Sequence, residues 1–160
     1  MRDPNGIGVD SYSRMGVVLE SRELMSDLAW FAQLGDTWSA CDNIASCRDE
    51  LSTILREATR PQLDAMMTPE ERDALATMPE AIEVWRGCYK VNQNGLSWTT
   101  RRETAELFPL LNRYKRFGDT PLLLSGVVGR SRAVFKMDRG ESGIIAPDVC
   151  VIARVEARHA

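Results

Sequence analysis

Apolar residues in the first half of the chain recur three and four positions apart, which is typical of helices packed on a core. The first such run begins at Ser21, and Gly35 stands where a glycine commonly ends a helix. Its predicted inward positions are Leu24, Leu28, Phe31 and Ala32. Residues 1–20 contain Pro4 and three glycines, show no sustained period, and are predicted to form an irregular N-terminal arm.

Further helices are predicted before residue 80. The helical period continues over residues 38–58, with apolar side chains inward and charged ones outward, until Arg60-Pro61 interrupts it. After a short helical turn, Thr68-Pro69-Glu70-Glu71 has the pattern of a capping box with proline at the first helical position. This helix should end near Met78-Pro79. Residues 21–79 are therefore predicted to be a helical region.

From residue 80 onward, short apolar runs separated by turns indicate strands. These runs cover residues 82–89, 96–99, 121–126, 127–135, 144–145 and 149–155. One predicted helix, over residues 100–118, interrupts them. Because the connections are too short for repeated helical crossovers, the strands should pair antiparallel. The chain is predicted to be α+β, with a β-rich region over residues 80–160 and one compact unit over residues 21–160.

Composition narrows the class of protein. The 160 residues are 44% hydrophobic, enough for one ordinary core. No apolar run reaches the roughly 18 residues of a membrane span, and the N-terminus lacks the apolar segment of a secretory signal, so a cytoplasmic protein with no membrane partner is expected. The spacing of the four cysteines fits neither a zinc site nor a redox pair. The only histidine, His159, is the penultimate residue, which argues against catalysis or metal binding by histidine.

The net charge of −3 conceals an asymmetry along the chain. Residues 1–85 hold 7 Lys/Arg against 16 Asp/Glu, whereas residues 86–139 hold 11 against 4. The basic stretch would attract a small anion such as a pyrophosphate. Nucleic acid is not expected as a partner, because no recognition motif accompanies the charge. A solvated helix face explains the cations at Arg101, Arg102, Arg113, Lys115 and Arg116 more simply.

Three short motifs carry the candidate chemistry. Trp85-Arg86-Gly87 ends the first predicted strand, Gly95-Leu96-Ser97-Trp98-Thr99 leads into the second, and Glu141-Ser142-Gly143-Ile144-Ile145 precedes a late one. In this order they resemble the Arg, Ser-Thr-Ser and Glu-x-Glu motifs of ADP-ribosyltransferases, and more narrowly small phage- or prophage-encoded proteins of that fold. The resemblance covers residues 82–146 and rests on order and spacing, since no single motif is specific.

The resemblance implies a split antiparallel β core and a mono-ADP-ribosyltransferase that uses NAD as co-substrate to modify a protein. Cleavage of the nicotinamide bond passes through an oxocarbenium-like state, which calls for a held pyrophosphate, a fixed ribose and a nearby carboxylate. The implied catalytic residues are Arg86, Ser97 and Glu141. Arg86 would take the phosphate and ribose side, and the backbone of Gly87 would pair with the carboxamide. Ser97 and Thr99 would hold the carboxylate and line the cleft, and Trp98 or Phe108 would stack near the nicotinamide.

Each of these residues also has an ordinary structural explanation. Arg86 could pair with Glu83, and Trp85, Trp98 and Phe108 could be core residues. The family pattern also places the main catalytic carboxylate at its second glutamate, where this chain has Gly143. Three interpretations remain open. Glu141 takes over through a bulge, the enzyme is slow or assisted by its substrate, or the protein only binds.

Two main functional hypotheses follow. The first is an NAD-dependent mono-ADP-ribosyltransferase-like effector, resembling phage-encoded ones, that acts on a host protein. The second is a catalytically inactive interaction protein of the same fold, a counter-defence or anti-CRISPR-type inhibitor whose acidic helical half binds a host or defence protein. Position 143 distinguishes them most directly, because a glycine cannot stabilise a developing cation.

Overall fold

Helices occupy the first half of the chain and strands the second in the computed structural model, which describes residues 3–42 and 44–157. The helices are α1 (Arg14–Glu20), α2 (Asp27–Trp38), α3 (Arg48–Glu57), α4 (Arg60–Ala65), α5 (Pro69–Ala76) and α6 (Arg102–Leu107). The strands are β1 (Ala81–Cys88), β2 (Ser97–Thr99), β3 (Leu122–Gly129), β4 (Val134–Lys136), β5 (Gly143–Ile145) and β6 (Cys150–Glu156). The predicted α+β class is confirmed. His159 lies outside the described residues.

The strands form one sheet in the order β4-β5-β2-β1-β3-β6, and every neighbouring pair is antiparallel. The resemblance implies a split core, whereas these six strands form a single sheet. Its narrowest junction lies between β1 and β2, which share the single described pair Trp85–Thr99. On its other side β1 pairs with β3 from Ala81 to Cys88. The two strands that carry the first two motifs therefore share the shortest described pairing in the sheet.

The predicted N-terminal arm is wrong for its last third, because residues 14–20 form α1. Met15, Val17 and Val18 of this helix are buried. Arg14 fixes its start by donating hydrogen bonds to the carbonyl oxygens of Pro4 (3.0 Å) and Ala40 (2.6 Å). A seven-residue helix is too short for its apolar period to be recognised in the sequence.

Helix α2 differs from its prediction at both ends. It begins at Asp27, where the Ser26 hydroxyl accepts a hydrogen bond from the Ala29 amide, and it continues through Gly35 to Trp38. Gly35 is not a C-cap: a Cβ atom there would lie 2.0 Å from the Met66 carbonyl oxygen. The glycine allows α4 to approach α2 closely. Leu24 and Leu28, predicted to be inward, are 61% and 53% exposed.

The helix predicted over residues 38–58 is wrong in its first half. Residues 39–42 are turn and irregular structure, and a short 3-10 helix, Ile44–Cys47, precedes α3. The predicted capping box is confirmed, because the Thr68 hydroxyl and the Glu71 carboxylate each accept the other's amide hydrogen bond at the start of α5.

The helix predicted over residues 100–118 is much shorter. Helix α6 ends at Leu107 and is followed by a 3-10 turn, Phe108–Leu110. Pro109 lacks the amide that would continue an α-helix, which accounts for the change. The cations at Arg113, Lys115 and Arg116 therefore lie in a loop and not on a helix face.

Both halves of the chain contribute to one apolar cluster. Helices α2 and α3 supply Trp30, Phe31, Leu34, Leu51 and Leu55, and the sheet supplies Val84, Trp98, Phe135, Ile144 and Ile145. A buried ion pair joins the halves at the edge of the sheet, where Lys136 Nζ lies 3.0 Å from Glu71 Oε2. The helical region thus covers the part of the sheet that holds β4 and β5.

Candidate functional site

The three motifs are carried by the adjacent strands β5, β2 and β1, and a cavity of about 180 Å³ lies against them. The residues implied by the resemblance all line it: Arg86, Gly87, Ser97, Trp98, Thr99, Phe108 and Glu141. Gly143 lines it as well. We call this cavity the cleft. The fold thus brings together residues that lie up to 57 positions apart in the sequence.

The remaining walls of the cleft come from segments outside the three motifs. They are the C-terminal end of α2 with the residues that follow it, the buried face of α6, the loop after α6, and the end of β4 with the turn before β5. Their lining residues are Trp38, Ser39, Cys41, Ile44, Thr104, Ala105, Tyr114, Lys136 and Asp138. Most of them belong to no sequence motif, because what they share is proximity in the folded chain.

Arg86 is held by backbone carbonyl groups rather than by a carboxylate. Its Nη1 donates to the Ser97 carbonyl oxygen at 2.6 Å, and its Nη2 donates to that of Asn92 at 2.9 Å. The guanidinium packs against Gly95, where a Cβ atom would lie 2.0 Å from Nη2. Burial lowers the pKa of the Arg86 side chain, and its Nε is buried without a hydrogen-bond partner. The expected alternative, a pair with Glu83, is not formed.

Ser97 is in contact with the helical half of the protein. Its hydroxyl oxygen accepts a hydrogen bond of 3.0 Å from the indole nitrogen of Trp38, the last residue of α2. Next along the chain, the Ser39 hydroxyl donates to Asp138 Oδ2 at 2.9 Å. The end of α2 is thereby attached to β2 and to the β4–β5 turn, on two sides of the cleft. The Trp38 bond leaves the Ser97 hydroxyl proton available to an acceptor.

Thr99 fixes the backbone before β5 rather than a carboxylate. Its hydroxyl donates to the Glu141 carbonyl oxygen at 2.7 Å and accepts from the Arg101 amide at 3.1 Å. Ser142 follows Glu141 with a φ of 48°, in the left-handed region. Glu141 therefore lines the cleft from the turn before β5 and not from the strand itself. Among the described residues, its carboxylate has no hydrogen bond or ion pair.

The ladder between β2 and β5 has a regular register. Ser97 pairs with Ile145, Trp98 with Ile144 and Thr99 with Gly143. The only register irregularity in the described sheet lies between β3 and β6, at Ser125/Gly126. No bulge brings Glu141 into the position of Gly143. The bulge that would place Glu141 on β5 is therefore absent from the described β2–β5 ladder, and Glu141 lines the cleft from the preceding turn instead.

Gly87 and Phe108 shape the side of the cleft formed by α6. A Cβ atom on Gly87 would lie 1.8 Å from the Ala105 carbonyl oxygen, so glycine is required for α6 to pack this closely on β1. Phe108 stacks on Tyr114, with ring centroids 4.4 Å apart and an interplanar angle of 18°. Trp98, by contrast, is 7% exposed and belongs to the apolar core as well as to the cleft wall.

Lys136, at the end of β4, lines the cleft and forms a buried ion pair with Glu71. Its Nζ donates to Glu71 Oε2 and to the Met66 carbonyl oxygen, both at 3.0 Å. Burial by itself would raise the pKa of the Glu71 carboxyl. Hydrogen bonds from the amides of Met137 and Thr68, together with Lys136, outweigh burial and lower that pKa. Glu71 was predicted only as a capping residue, and it also holds β4.

The thiols near the cleft are poorly suited to nucleophilic chemistry. Burial raises the pKa of Cys41, which lines the cleft, to about 11. Burial also raises the pKa of Cys88 on β1. Both thiols are therefore protonated at neutral pH. Within residues 3–42 and 44–157, no group of three or more His, Cys, Asp or Glu side chains could hold a metal ion.

Comparison of the chain with protein-family models, with curated proteins and with solved structures finds no match. In the described part of the chain, none of the helices has the length and apolar character needed to cross a membrane.

Proposed function

We propose that the cleft binds NAD and that the protein is an ADP-ribosyltransferase-like effector, acting in the cytoplasm on a protein of a host or its defences. One observation carries the proposal: all residues that the three motifs imply line one cavity on adjacent strands. Three segments separated by up to about forty residues would not be expected to converge on one cavity if each motif were an accident of composition.

The chemistry of the cleft suits slow transfer better than fast transfer. Arg86 has three N–H groups beyond the two that bond to the carbonyl oxygens of Asn92 and Ser97. One is on the buried Nε and two are on the Nη atoms. Glu141 is the carboxylate nearest in sequence to the expected catalytic position, and it lies in the turn before β5. Gly143, at the expected position, supplies no charge to a developing cation. We therefore propose weak NAD cleavage, with the fold and the cofactor site retained.

The size of the cleft limits how NAD binds. Sites that enclose a drug-sized ligand have volumes of about 300–1,000 Å³, whereas this cleft has about 180 Å³. Such a volume holds one ring system. We propose that the nicotinamide end enters between Phe108 and the strands, and that the rest of the dinucleotide lies along the surface near Arg86.

A second candidate is a catalytically inactive binding protein, and the regular β2–β5 register favours it. Because Gly143 occupies the expected position without any bulge, no carboxylate replaces the missing one from the strand. Under this candidate the fold serves to bind a host or defence protein through the acidic helical half. Both candidates involve the same cleft, but only the first predicts that the protein turns over NAD.

Ligand-dependent thermal unfolding tests the proposal. NAD or ADP-ribose should raise the Tm of the protein, because a ligand at a hundred times its Kd stabilises the folded state by about 2.7 kcal/mol. Arg86→Ala should abolish that shift when each variant is compared with its own ligand-free Tm. Arg102→Ala is the matched control, since Arg102 pairs with Glu106 at an exposed site outside the cleft. No shift in the wild type at millimolar NAD, or an equal shift in Arg86→Ala, would overturn the proposal.

A further inference from the structure

The last residue of α6 and the loop after it, residues 107–118, present large apolar side chains to solvent next to the cleft. We call this segment the rim loop, because its residues Phe108 and Tyr114 line the cavity. Leu107, Leu111 and Phe117 are 60%, 46% and 90% exposed. A nearly fully exposed phenylalanine with two leucines in eleven residues is unusual for a surface that stays in water, and such surfaces are typical of interaction sites.

The rim loop is anchored from beneath, so its exposed side chains have fixed positions relative to the cleft. Tyr89, 3% exposed, donates from its hydroxyl to the Pro109 carbonyl oxygen at 2.7 Å and accepts from the Arg116 amide at 3.2 Å. The stacked rings of Phe108 and Tyr114 hold the middle of the loop. An anchored loop loses little conformational entropy on binding, which favours it as a docking platform.

Most of the positive charge of the rim loop is already paired within the chain. Arg113 pairs with Asp42, and Arg116 pairs with Asp119 at 2.8 Å. Lys115 has no ion pair among the described residues, and its Nζ lies 5.5 Å from the centroid of the Phe117 ring. One available ammonium beside an exposed ring suits a carboxylate next to an apolar side chain. It offers too few free cations for a nucleic-acid backbone, whose affinity depends on many phosphate contacts.

We propose that the rim loop docks an acidic, apolar segment of a partner protein at the mouth of the cleft. Phe117, Leu111 and Leu107 supply the apolar contact, and Lys115 pairs with a carboxylate of the segment. In the proposed function, this segment would carry the residue that accepts ADP-ribose. That assignment rests on the proposed function, whereas the docking itself does not. An acceptor held by the rim loop would meet the cleft at its Phe108–Tyr114 wall.

Selection from a displayed library of random linear peptides tests the docking. Enriched peptides should carry net negative charge and at least one aromatic or large aliphatic residue. A synthetic copy of the best one should lose about tenfold in affinity for Phe117→Ser and for Lys115→Glu. Ile152→Ser is the matched control, because Ile152 is 68% exposed on β6 and does not line the cleft. Each variant is checked for an unchanged circular dichroism spectrum.

Several outcomes would overturn the proposal. The selection could enrich no peptide, or it could enrich basic ones. Phe117→Ser and Lys115→Glu could leave peptide binding intact. The loop could bind a single-stranded oligonucleotide or anionic vesicles in place of peptide. The NAD-induced change in Tm of Phe117→Ser separates this inference from the proposed function. Peptide binding without any NAD-induced change in Tm would support the docking proposal and contradict the transferase assignment. An NAD-induced change in Tm without loop-dependent peptide binding would support NAD binding and contradict the docking proposal.

Discussion

Gly143 on β5 lies directly opposite Thr99 on β2. Lys136 on β4 is the partner of Gly143 on its other side, and Trp85 on β1 is the partner of Thr99. Cross-strand partners project to the same face of a sheet. A side chain at position 143 would therefore project from the same face of the sheet as Trp85, Thr99 and Lys136, which line the cleft.

Gly143→Glu should fold and should raise NAD turnover. A Cβ atom at this position would lie 3.6 Å from the Lys136 carbonyl oxygen and 3.8 Å from that of Trp98, which are ordinary contacts. Under the proposed function, the new carboxylate would lie where the oxocarbenium-like state develops. For comparison, loss of one preorganised charge-stabilising group from an active site costs a factor of about a hundred or more in rate. Release of nicotinamide, followed by chromatography, measures the change.

Gly129→Glu is the matched control for this substitution, because Gly129 is an exposed strand residue outside the cleft. Glu141→Ala tests the remaining carboxylate and should remove the weak turnover of the wild type. Vigorous wild-type turnover that survives Glu141→Ala would contradict the roles assigned here. Equal turnover in wild type and folded Gly143→Glu would contradict the assignment of position 143.

The strands that carry the motifs, and the capping box, could be predicted from sequence because they depend on local patterns. The strands predicted over residues 121–126 and 127–135 are wrong, because β3 runs through their boundary and β4 is a separate short strand. The apolar run over residues 82–89 became β1, and Thr68-Pro69 opened α5 where its capping pattern indicated. The partners of the motif residues could not be predicted in this way. Trp38 reaches Ser97 across 59 positions, and the pairing depends on how α2 packs against the sheet.

Two errors show why local rules failed in the helical half. Gly35 has the position of a helix cap, yet the backbone of α4 requires a glycine inside α2. Leu24 and Leu28 have helical spacing with Phe31, yet α2 begins only at Asp27 and these leucines stay exposed. At Gly35, contact between distant segments decided what the local pattern left open.

Glu71→Gln should destabilise the fold by about 3–5 kcal/mol, because it leaves the buried ammonium of Lys136 without its counter-charge. Glu70→Gln, one residue earlier and exposed, is the control and should change stability little. Urea unfolding at neutral pH measures both. Equal stability of the two variants would contradict the structural role of the pair.

The same pair should make stability depend on pH. The pKa of Glu71 is lower in the folded protein than its ordinary value. Its contribution is therefore complete above the ordinary pKa and is lost as the pH falls through the folded one. The free energy of unfolding of the wild type should decrease over that acidic range. Glu71→Gln should lack this component of the decrease, and identical pH profiles would exclude it.

Deletion of residues 1–78 should give an aggregating fragment. The deletion exposes Val84 and Ile145, which pack in the shared apolar cluster, and removes the Glu71 partner of Lys136. Size-exclusion chromatography and circular dichroism measure the outcome. A soluble fragment of residues 79–160 that unfolds cooperatively would show two independent domains, and would favour a detachable targeting role for the helical half.

The central claim, that NAD occupies the cleft, is tested most directly by the four tryptophan indole N–H signals in a ¹H–¹⁵N spectrum. Trp38, Trp85 and Trp98 line the cleft, whereas the indole of Trp30 is buried elsewhere and donates to the Val18 carbonyl oxygen at 2.8 Å. Titration of the wild-type protein with NAD should shift the signals of the three cleft tryptophans and leave that of Trp30 unchanged. Four unchanged indole signals at millimolar NAD would contradict the account.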